Sequence, residues 1–399
     1  MGPGEQGVVR LNLMRILTVL TYYRPHTSGL TIYAERLVKA LAARGHQVTV
    51  LTTQYEKQLP PTETTGDVRI VRLPVVARIN KGVLAPSFGR VSTRLVKEHD
   101  VVLLHLPQFD AAGVALRARL MKRPAVILYH SDLLLPPGLF NRFVNMVVDS
   151  INHLAGLFAH RVVAYTEDFA RHSAFLTRFA YKRTVIRPIV QIPRASESDI
   201  AAFKEQYNPQ GHKVIGMATR FAAEKGIEVL LDALPLIQAR FPQAKVLFAG
   251  QYEGVWGEEA YYQRLIPQID RYHENGCWEF LGVLSGEQMA AFYPNLDVLV
   301  VPSLNSTETF GFVQIEAMMN GVPAVASNLP GVRQPVAMTG MGKVVPINDP
   351  PALAQAVLEI FDNPENYRGD PDKVIEMFHP DTNVVAFEQL FETLLAQKD

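Results

Sequence analysis

The chain has 399 residues, 48% of them hydrophobic, which at about 100–200 residues per domain suggests two domains with sizeable cores. Its 39 basic and 39 acidic residues cancel, so there is no surplus of Lys and Arg for wholesale nucleic-acid binding, and no nucleic-acid partner is expected. The single cysteine, Cys277, excludes an intrachain disulfide and a Cys-based zinc site.

Met1–Asn12 has neither a basic leading region nor a long apolar run, so it reads as a short extension (residues 1–13 expected to be disordered) and not as a signal peptide. No run of about 20 apolar residues occurs, so no transmembrane helix is expected and the default location is cytoplasmic. From there, short runs rich in Val, Ile and Leu read as buried strands: Arg15–Leu20, Gln47–Thr52, Val68–Leu73, Val101–Leu106, Ala125–Tyr129 and Val162–Thr166. Segments with helical spacing separate most of them, such as Thr31–Arg44 with Ile32, Leu37, Val38 and Leu41. Continuous apolar strands alternating with helices mean a parallel sheet covered on both faces.

Pro188 to Gly211 breaks the rhythm with Pro188, Pro193 and Pro209 around Ser196, Glu197, Ser198 and Asp199, which is linker composition. Strands then resume at Lys213–Ala218, Lys245–Ala249, Trp278–Leu281, Val298–Val301, Ala324–Ala326 and Lys343–Val345. The expected class is α/β, with two doubly wound sheets in tandem. The boundaries are 1–190 for the first domain, 191–211 for the linker and 212–382 for the second domain, with a final helix at 383–399.

Ligands of doubly wound sheets bind beyond the carboxyl ends of the strands, and four segments stand there. Thr21–Leu30 follows the first strand, and its Ser28-Gly29 pair lets backbone N–H groups approach an anion at a helix start. It is not a P-loop or a G-x-G-x-x-G fingerprint, and the plain alternative is an ordinary turn. In Ala218–Gly226, Arg220 and Lys225 share one strand-to-helix loop, which suits a diphosphate. The plain alternative is a solvated charged loop containing Glu224.

Ser306–Gly321 is the sharpest segment. Glu308 and Glu316 would be about 12 Å apart if all intervening residues were helical, against about 5–9.5 Å for a glycosidase acid/base pair. They suit the two ends of an elongated ligand, with Thr309-Phe310-Gly311 opening a helix between them where a phosphate could sit. The plain alternative is two ordinary helix carboxylates. In Tyr129-His130-Ser131-Asp132, His130 is apt for a sugar hydroxyl, although a strand-end histidine is more often structural. His105 carries a weaker version of the same case.

These residues resemble glycosyltransferase family 4, the retaining enzymes of GT-B fold, over nearly the whole chain from Met14. The most specific element is Glu308 to Ser327, ETFGFVQIEAMMNGVPAVAS, which matches the family's Glu-x7-Glu motif. Pro25 with Ser28-Gly29, Gly45-His46-Gln47-Val48, Arg220 with Glu224-Lys225-Gly226, Phe280-Leu281-Gly282 and Leu329-Pro330-Gly331-Val332 support it. The resemblance implies two Rossmann-like domains facing each other across a cleft, and a final helix crossing back to the first domain. It implies that Arg220 and Lys225 bind the donor diphosphate, Glu308 holds hydroxyls of the transferred sugar and Glu316 holds the nucleotide ribose. It further implies that Thr309 and the amides of Phe310 and Gly311 meet a phosphate, Val283 and Leu284 contact the base, Gly29 approaches the donor, and His130 touches the donor sugar. Two departures stand out. Ser28-Gly29 replaces the usual Gly-Gly, and Arg187-Pro188-Ile189-Val190 replaces an aspartate-bearing loop.

The expected activity is hexosyl transfer with retention, from a nucleotide diphosphate sugar (a UDP-sugar first, GDP-mannose second) to an unidentified hydroxyl acceptor such as a lipid or cell-envelope glycan precursor. No cofactor and no metal are expected, and Asp370-Pro371-Asp372 reads as a turn. The alternatives are a sugar-nucleotide epimerase and a non-catalytic sugar-nucleotide binder of the same fold. Pro136–Ala159 adds an apolar helical face through Leu139, Phe140, Phe143, Met146, Val147, Ile151, Leu154 and Phe158. With the basic and apolar mixture at Arg78-Ile79-Asn80-Lys81, it raises peripheral contact with the inner face of a membrane. The ordinary reading is a helix face buried on its sheet.

Overall fold

The computed structural model describes residues 13–79, 82–133 and 138–397; the expected N-terminal extension up to residue 12, Asn80-Lys81 and Pro136-Pro137 lie outside them. The first domain contains β1 (Arg15–Val19), β2 (Gln47–Gln54), β3 (Thr62–Thr65), β4 (Val68–Pro74), β5 (Ala77–Ile79), β6 (Gly82–Leu84), β7 (Val101–Leu106), β8 (Ala125–Tyr129), β9 (Arg161–Ala164) and β10 (Arg183–Val185). Eight of these form one sheet in the order β10-β9-β8-β7-β1-β2-β4-β3, while β5 and β6 make a separate ribbon. All neighbours in the large sheet are parallel except β3 and β4. The second domain contains β11 (Val214–Ala218), β12 (Lys245–Ala249), β13 (Trp278–Gly282), β14 (Val298–Val301), β15 (Ala324–Ser327) and β16 (Gly342–Val345). They form a wholly parallel sheet in the order β13-β12-β11-β14-β15-β16.

Each expected strand is present within two residues of its expected ends, because a strand buried on both faces shows as an unbroken apolar run. Val101–Leu106 and Ala125–Tyr129 are buried at every position. The weakly apolar strands were not expected: β3 is a four-residue polar edge strand, and β10 has three residues. The linker region is corrected too. It contains the helix Glu197–Tyr207, started by Ser196, whose hydroxyl accepts from the Asp199 amide in a reciprocal capping box. The final helix runs Pro380–Ala396, three residues earlier than expected, because proline suits a first helical turn.

The two sheets do not have separate cores. One face of the first sheet packs on an outer core with Phe88, Leu95 and Val114, and one face of the second packs on Leu230, Leu234 and Ile360. The other two faces run into a single cluster that joins Leu37 and Tyr165 of the first domain to Phe310 and Ile315 of the second and to Phe387 of the final helix. The final helix is part of this junction and packs on the helix Gly29–Ala43 of the first domain. There Glu388 is buried and accepts from Arg44 Nε at 2.5 Å, with His46 Nε2 at 3.0 Å. His46 is itself fixed by the Met14 amide, which donates to Nδ1 at 3.1 Å.

Truncating one partner of a buried ion pair costs about 3–5 kcal/mol, because the other charge is left uncompensated. Glu388→Ala should therefore lower the denaturant midpoint measured by circular dichroism, whereas Glu376→Ala, on the preceding helix, should leave it within error.

Candidate functional site

In each sheet the strand order reverses once, between β1 and β7 in the first and between β11 and β14 in the second. The loops after these strands diverge and leave a crevice. The second-domain crevice is walled by Thr219–Gly226 after β11 and by the segment from Pro302 to Gly311 after β14. Gly226 holds the two walls together. It has φ 68°, and a Cβ there would lie 2.1 Å from the Pro302 carbonyl oxygen, so any side chain would force them apart.

That approach sets Lys225 against Glu308. Lys225 Nζ donates to Glu308 Oε2 at 2.7 Å, and the Gly311 amide donates to Glu308 Oε1 at 3.1 Å. Arg220 pairs with Glu224 on the same loop. Burial pushes the Glu224 carboxyl up, but Arg220 and Lys225 outweigh this and hold it below its ordinary value. Two features differ from expectation. The Gly311 amide faces Glu308 instead of an open anion site. The helix itself starts only at Phe312 and ends at Met318, with Gly311 as its left-handed cap.

Glu316 lies on that helix, and both its oxygens are taken. Arg36 Nη2 of the first domain donates to Oε1 at 2.6 Å, and the buried Tyr293 hydroxyl donates to Oε2 at 2.6 Å. Arg36 and Tyr293 went unnoticed in the sequence, being 280 and 23 residues away from Glu316. A signal for Arg36 existed, since it stands seven residues after Gly29 and so on the same helical face. Gly29 is the first residue of its helix, capped by Ser28, whose hydroxyl accepts from the Thr31 amide. A Cβ at Gly29 would meet the Phe312 ring at 3.9 Å, so the two domains are close here.

Aromatic rings fill the junction. Tyr33 stacks on Phe312 with centroids 5.8 Å apart, and Tyr165 meets the Phe312 ring at 5.5 Å. Polar bonds flank the stack. The Thr309 hydroxyl donates to the His130 carbonyl at 2.6 Å, so this expected donor contact is engaged with the first domain. Asp168 accepts from the Gly331 amide at 2.9 Å and from Arg333 Nη2 at 2.6 Å. Burial raises the Asp168 carboxyl, but those bonds outweigh it and hold its pKa below the ordinary value. Val283 and Leu284 follow β13 at the end of the sheet, Val283 exposed and Leu284 packed on the core.

His130 requires a correction. Its ring does not face open space: Nε2 lies 2.8 Å from His105 Nδ1, and Nδ1 lies 2.5 Å from the Tyr165 hydroxyl. To reach a sugar hydroxyl it must give up one of these partners. Burial holds both histidines in the neutral form, with His105 pushed down to about 3. If Tyr165 donates to His130, then His130 donates to His105, and the buried Nε2 of His105 carries the last proton with no partner among the described residues.

On the first-domain side of the crevice, Tyr22 stacks on His26 at 4.9 Å, and Tyr55 meets both rings edge-on at 5.5 and 5.7 Å. His26 has its pKa lowered, by burial first and by the charge of Arg220 in part. Among the described residues no three His, Cys, Asp or Glu side chains group so as to hold a metal ion. Asp370 caps the helix Pro371–Phe378.

Two family models match the chain: "Glycosyl transferase 4-like domain" over residues 28–188 and "Glycosyl transferases group 1" over residues 199–373. The chain belongs to the family 4 type of glycosyltransferases. It is similar to phosphatidyl-myo-inositol mannosyltransferase of Mycolicibacterium smegmatis, 25% identical over 396 residues, covering 96% of this chain and 94% of that one. It is also similar to the GDP-mannose-dependent alpha-mannosyltransferase of Corynebacterium glutamicum, at 25% identity over 80% of this chain and 73% of that one. Among solved structures, HepE of Anabaena in complex with UDP superposes with a TM-score of 0.73 at 21% identity, covering 95% and 100% of the two chains. Sucrose-phosphate synthase of Thermosynechococcus elongatus gives 0.74 at 22% identity, covering 96% and 99%. The fold of this family 4 glycosyltransferase is GT-B.

The buried histidine pair makes stability depend on pH. A histidine whose folded pKa lies below its unfolded value of about 6.5 stabilises fully above that value, and loses this as pH falls toward the folded pKa. Between pH 7.5 and 5 the loss should be about 2 kcal/mol per histidine. Urea unfolding of wild type and His105→Gln at both pH values checks this, and the variant should show the smaller loss.

Proposed function

We propose that this glycosyltransferase moves a hexosyl group, with retention and without a metal, from a nucleoside diphosphate sugar to a hydroxyl of a lipid-linked acceptor. The observation that carries the reading is the second-domain crevice. It sets Lys225 on the carboxylate of Glu308, with a second cation, Arg220, on the same loop and paired to Glu224. The bond from the anomeric carbon to the diphosphate oxygen breaks, and its electron pair goes to that oxygen. Arg220 and Lys225 stand where this negative charge grows, and preorganised cations lower such a barrier. The acceptor oxygen bonds the anomeric carbon on the same face, and its proton passes to the leaving phosphate. Glu308, relieved of Lys225 by the diphosphate, accepts hydroxyl groups of the transferred sugar.

For the donor, the sequence reading put a UDP-sugar first. The curated relatives now favour GDP-mannose, since one of them carries that donor in its name. The UDP complex of HepE, at 21% identity, speaks for the fold. For the acceptor, support comes from the helix Leu139–Phe158. Its Leu139, Phe143 and Met146 are 86%, 58% and 58% exposed, on one face that continues to Leu154 and Leu157. Sheet packing therefore leaves this face uncovered, and an apolar stripe of this kind lies well in the boundary of a bilayer. A relative that acts on phosphatidyl-myo-inositol points the same way. Among the described residues no helix is long and apolar enough to cross a membrane, so the contact proposed is peripheral.

An epimerase of the same fold would isomerise the donor when no acceptor is present, and a non-catalytic binder would leave it intact with or without acceptor. Lys225→Ala and Arg220→Ala should each lower kcat/KM by about 100-fold or more, as loss of one charge-stabilising donor does. Activity should persist in EDTA. Radiolabelled GDP-mannose and UDP-glucose with a phosphatidylinositol acceptor measure both. Wild-type kcat/KM in both variants would remove the assigned roles, and loss in EDTA restored by magnesium would remove metal independence.

Separately, the protein should co-sediment with vesicles of phosphatidylglycerol and phosphatidylcholine, and Phe143→Asp with Met146→Asp should abolish this. Absence of wild-type binding at low and high salt would argue for a water-soluble acceptor.

A further inference from the structure

Each ionised side chain proposed to handle the donor already has a protein partner. Lys225 holds Glu308, Glu224 holds Arg220, and Arg36 holds Glu316. The first two pairs lie within the second domain. The third crosses between domains, because Arg36 sits on the helix Gly29–Ala43 and Glu316 on Phe312–Met318. Glu316 is also the most enclosed, with its side chain 11% exposed. One oxygen faces the guanidinium and the other the Tyr293 hydroxyl.

A vicinal diol approaching this carboxylate needs both oxygens, so a partner must withdraw. Tyr293 is fully buried and cannot move without disturbing the packing of Phe292 and the rest of the core. Arg36 is 17% exposed at the end of a flexible stem, and its helix stays anchored by Leu37, Val38 and Leu41 when the side chain swings away. Arg36 is therefore the partner that can yield.

We propose that Arg36 is a stand-in for the nucleoside diol: it occupies Glu316 while the site is empty and is displaced when the donor binds. This rests on the reading of Glu316 as the ribose carboxylate. Two consequences follow from the geometry. The apparent affinity for nucleotide is reduced by the fraction of molecules in which Glu316 is taken. Binding also exchanges an ion pair between domains for hydrogen bonds from the ligand hydroxyls to Glu316, so occupancy of the nucleoside subsite is transmitted to the helix Gly29–Ala43.

The sign of one measurement separates this role from its opposite. If Arg36 were a donor ligand, removing it would weaken nucleotide binding. As a stand-in, its removal strengthens binding. Isothermal titration of UDP and of GDP into wild type, Arg36→Met and Arg44→Met provides the test. Arg44, on the same helix, pairs with Glu388 of the final helix and lies away from the crevice. The expected result is a Kd about tenfold lower in Arg36→Met, the size of one charge-assisted hydrogen bond, and an unchanged Kd in Arg44→Met. Arg36→Gln repeats the test if the methionine variant does not fold. An unchanged or higher Kd in the Arg36 variants overturns the inference while leaving the proposed transferase standing. Equal tightening in Arg44→Met also overturns it, because general loosening of the domains would then be the cause. If wild type binds neither nucleotide, the underlying reading falls and the inference with it.

Discussion

An ionised side chain enclosed by protein must be paired, because the cost of removing it from water exceeds what packing returns. The crevice of this glycosyltransferase is shaped by that rule. A site for a diphosphate, a sugar and a nucleoside needs several charges in one enclosed place. The chain meets the need by setting opposite charges against one another: Lys225 on Glu308, Arg220 on Glu224, Arg36 on Glu316. The three pairs cancel in charge, and each side chain in them finds its partner within the protein. Under the proposed function the diphosphate would take over Arg220 and Lys225 while sugar and ribose hydroxyls would take over Glu308 and Glu316, so none of the four would be left bare.

The same rule explains why the aromatic junction stands where it does. Tyr33 and Tyr165 are buried against Phe312, so the junction beside the crevice is an apolar one. Charge interactions strengthen as the surroundings become less polar. The neutral His105–His130 pair belongs to this junction. A protonated imidazole there would add an unpaired cation, so the histidines hold position through hydrogen bonds alone.

Much of this was legible in the chain itself, for a local reason. Strands buried on both faces appear as apolar runs, and the residues just after them, Arg220, Lys225 and Glu308, fall automatically at the mouth of the sheet. Partners from distant segments were not legible. Arg36 lies two turns into an ordinary amphipathic helix, and only the folded chain brings it to Glu316. Tyr165 was read as part of a strand, and its hydroxyl became informative only once it met His130. The helix Glu197–Tyr207 was missed because Pro193, Ser196 and Ser198 suggested a linker, although Ser196 and Asp199 have the spacing of a capping box. The apolar helix Leu139–Phe158 was read correctly in its periodicity. Which of its faces the sheet would cover depends on neighbours that periodicity does not contain.

The chain passes between its domains twice, once after β10 and once where Phe378 and His379 lead into the final helix. At that place the Val190 amide donates to the Phe378 carbonyl at 3.1 Å, so the outgoing and returning strands are bonded side by side. A single tether allows two bodies to swivel in any direction. A doubled one restrains that freedom like a strap, and it does so beside the shared core that already joins the two sheets. Held by both passages and by that core, the helix Gly29–Ala43 keeps Arg36 where it reaches Glu316 at 2.6 Å.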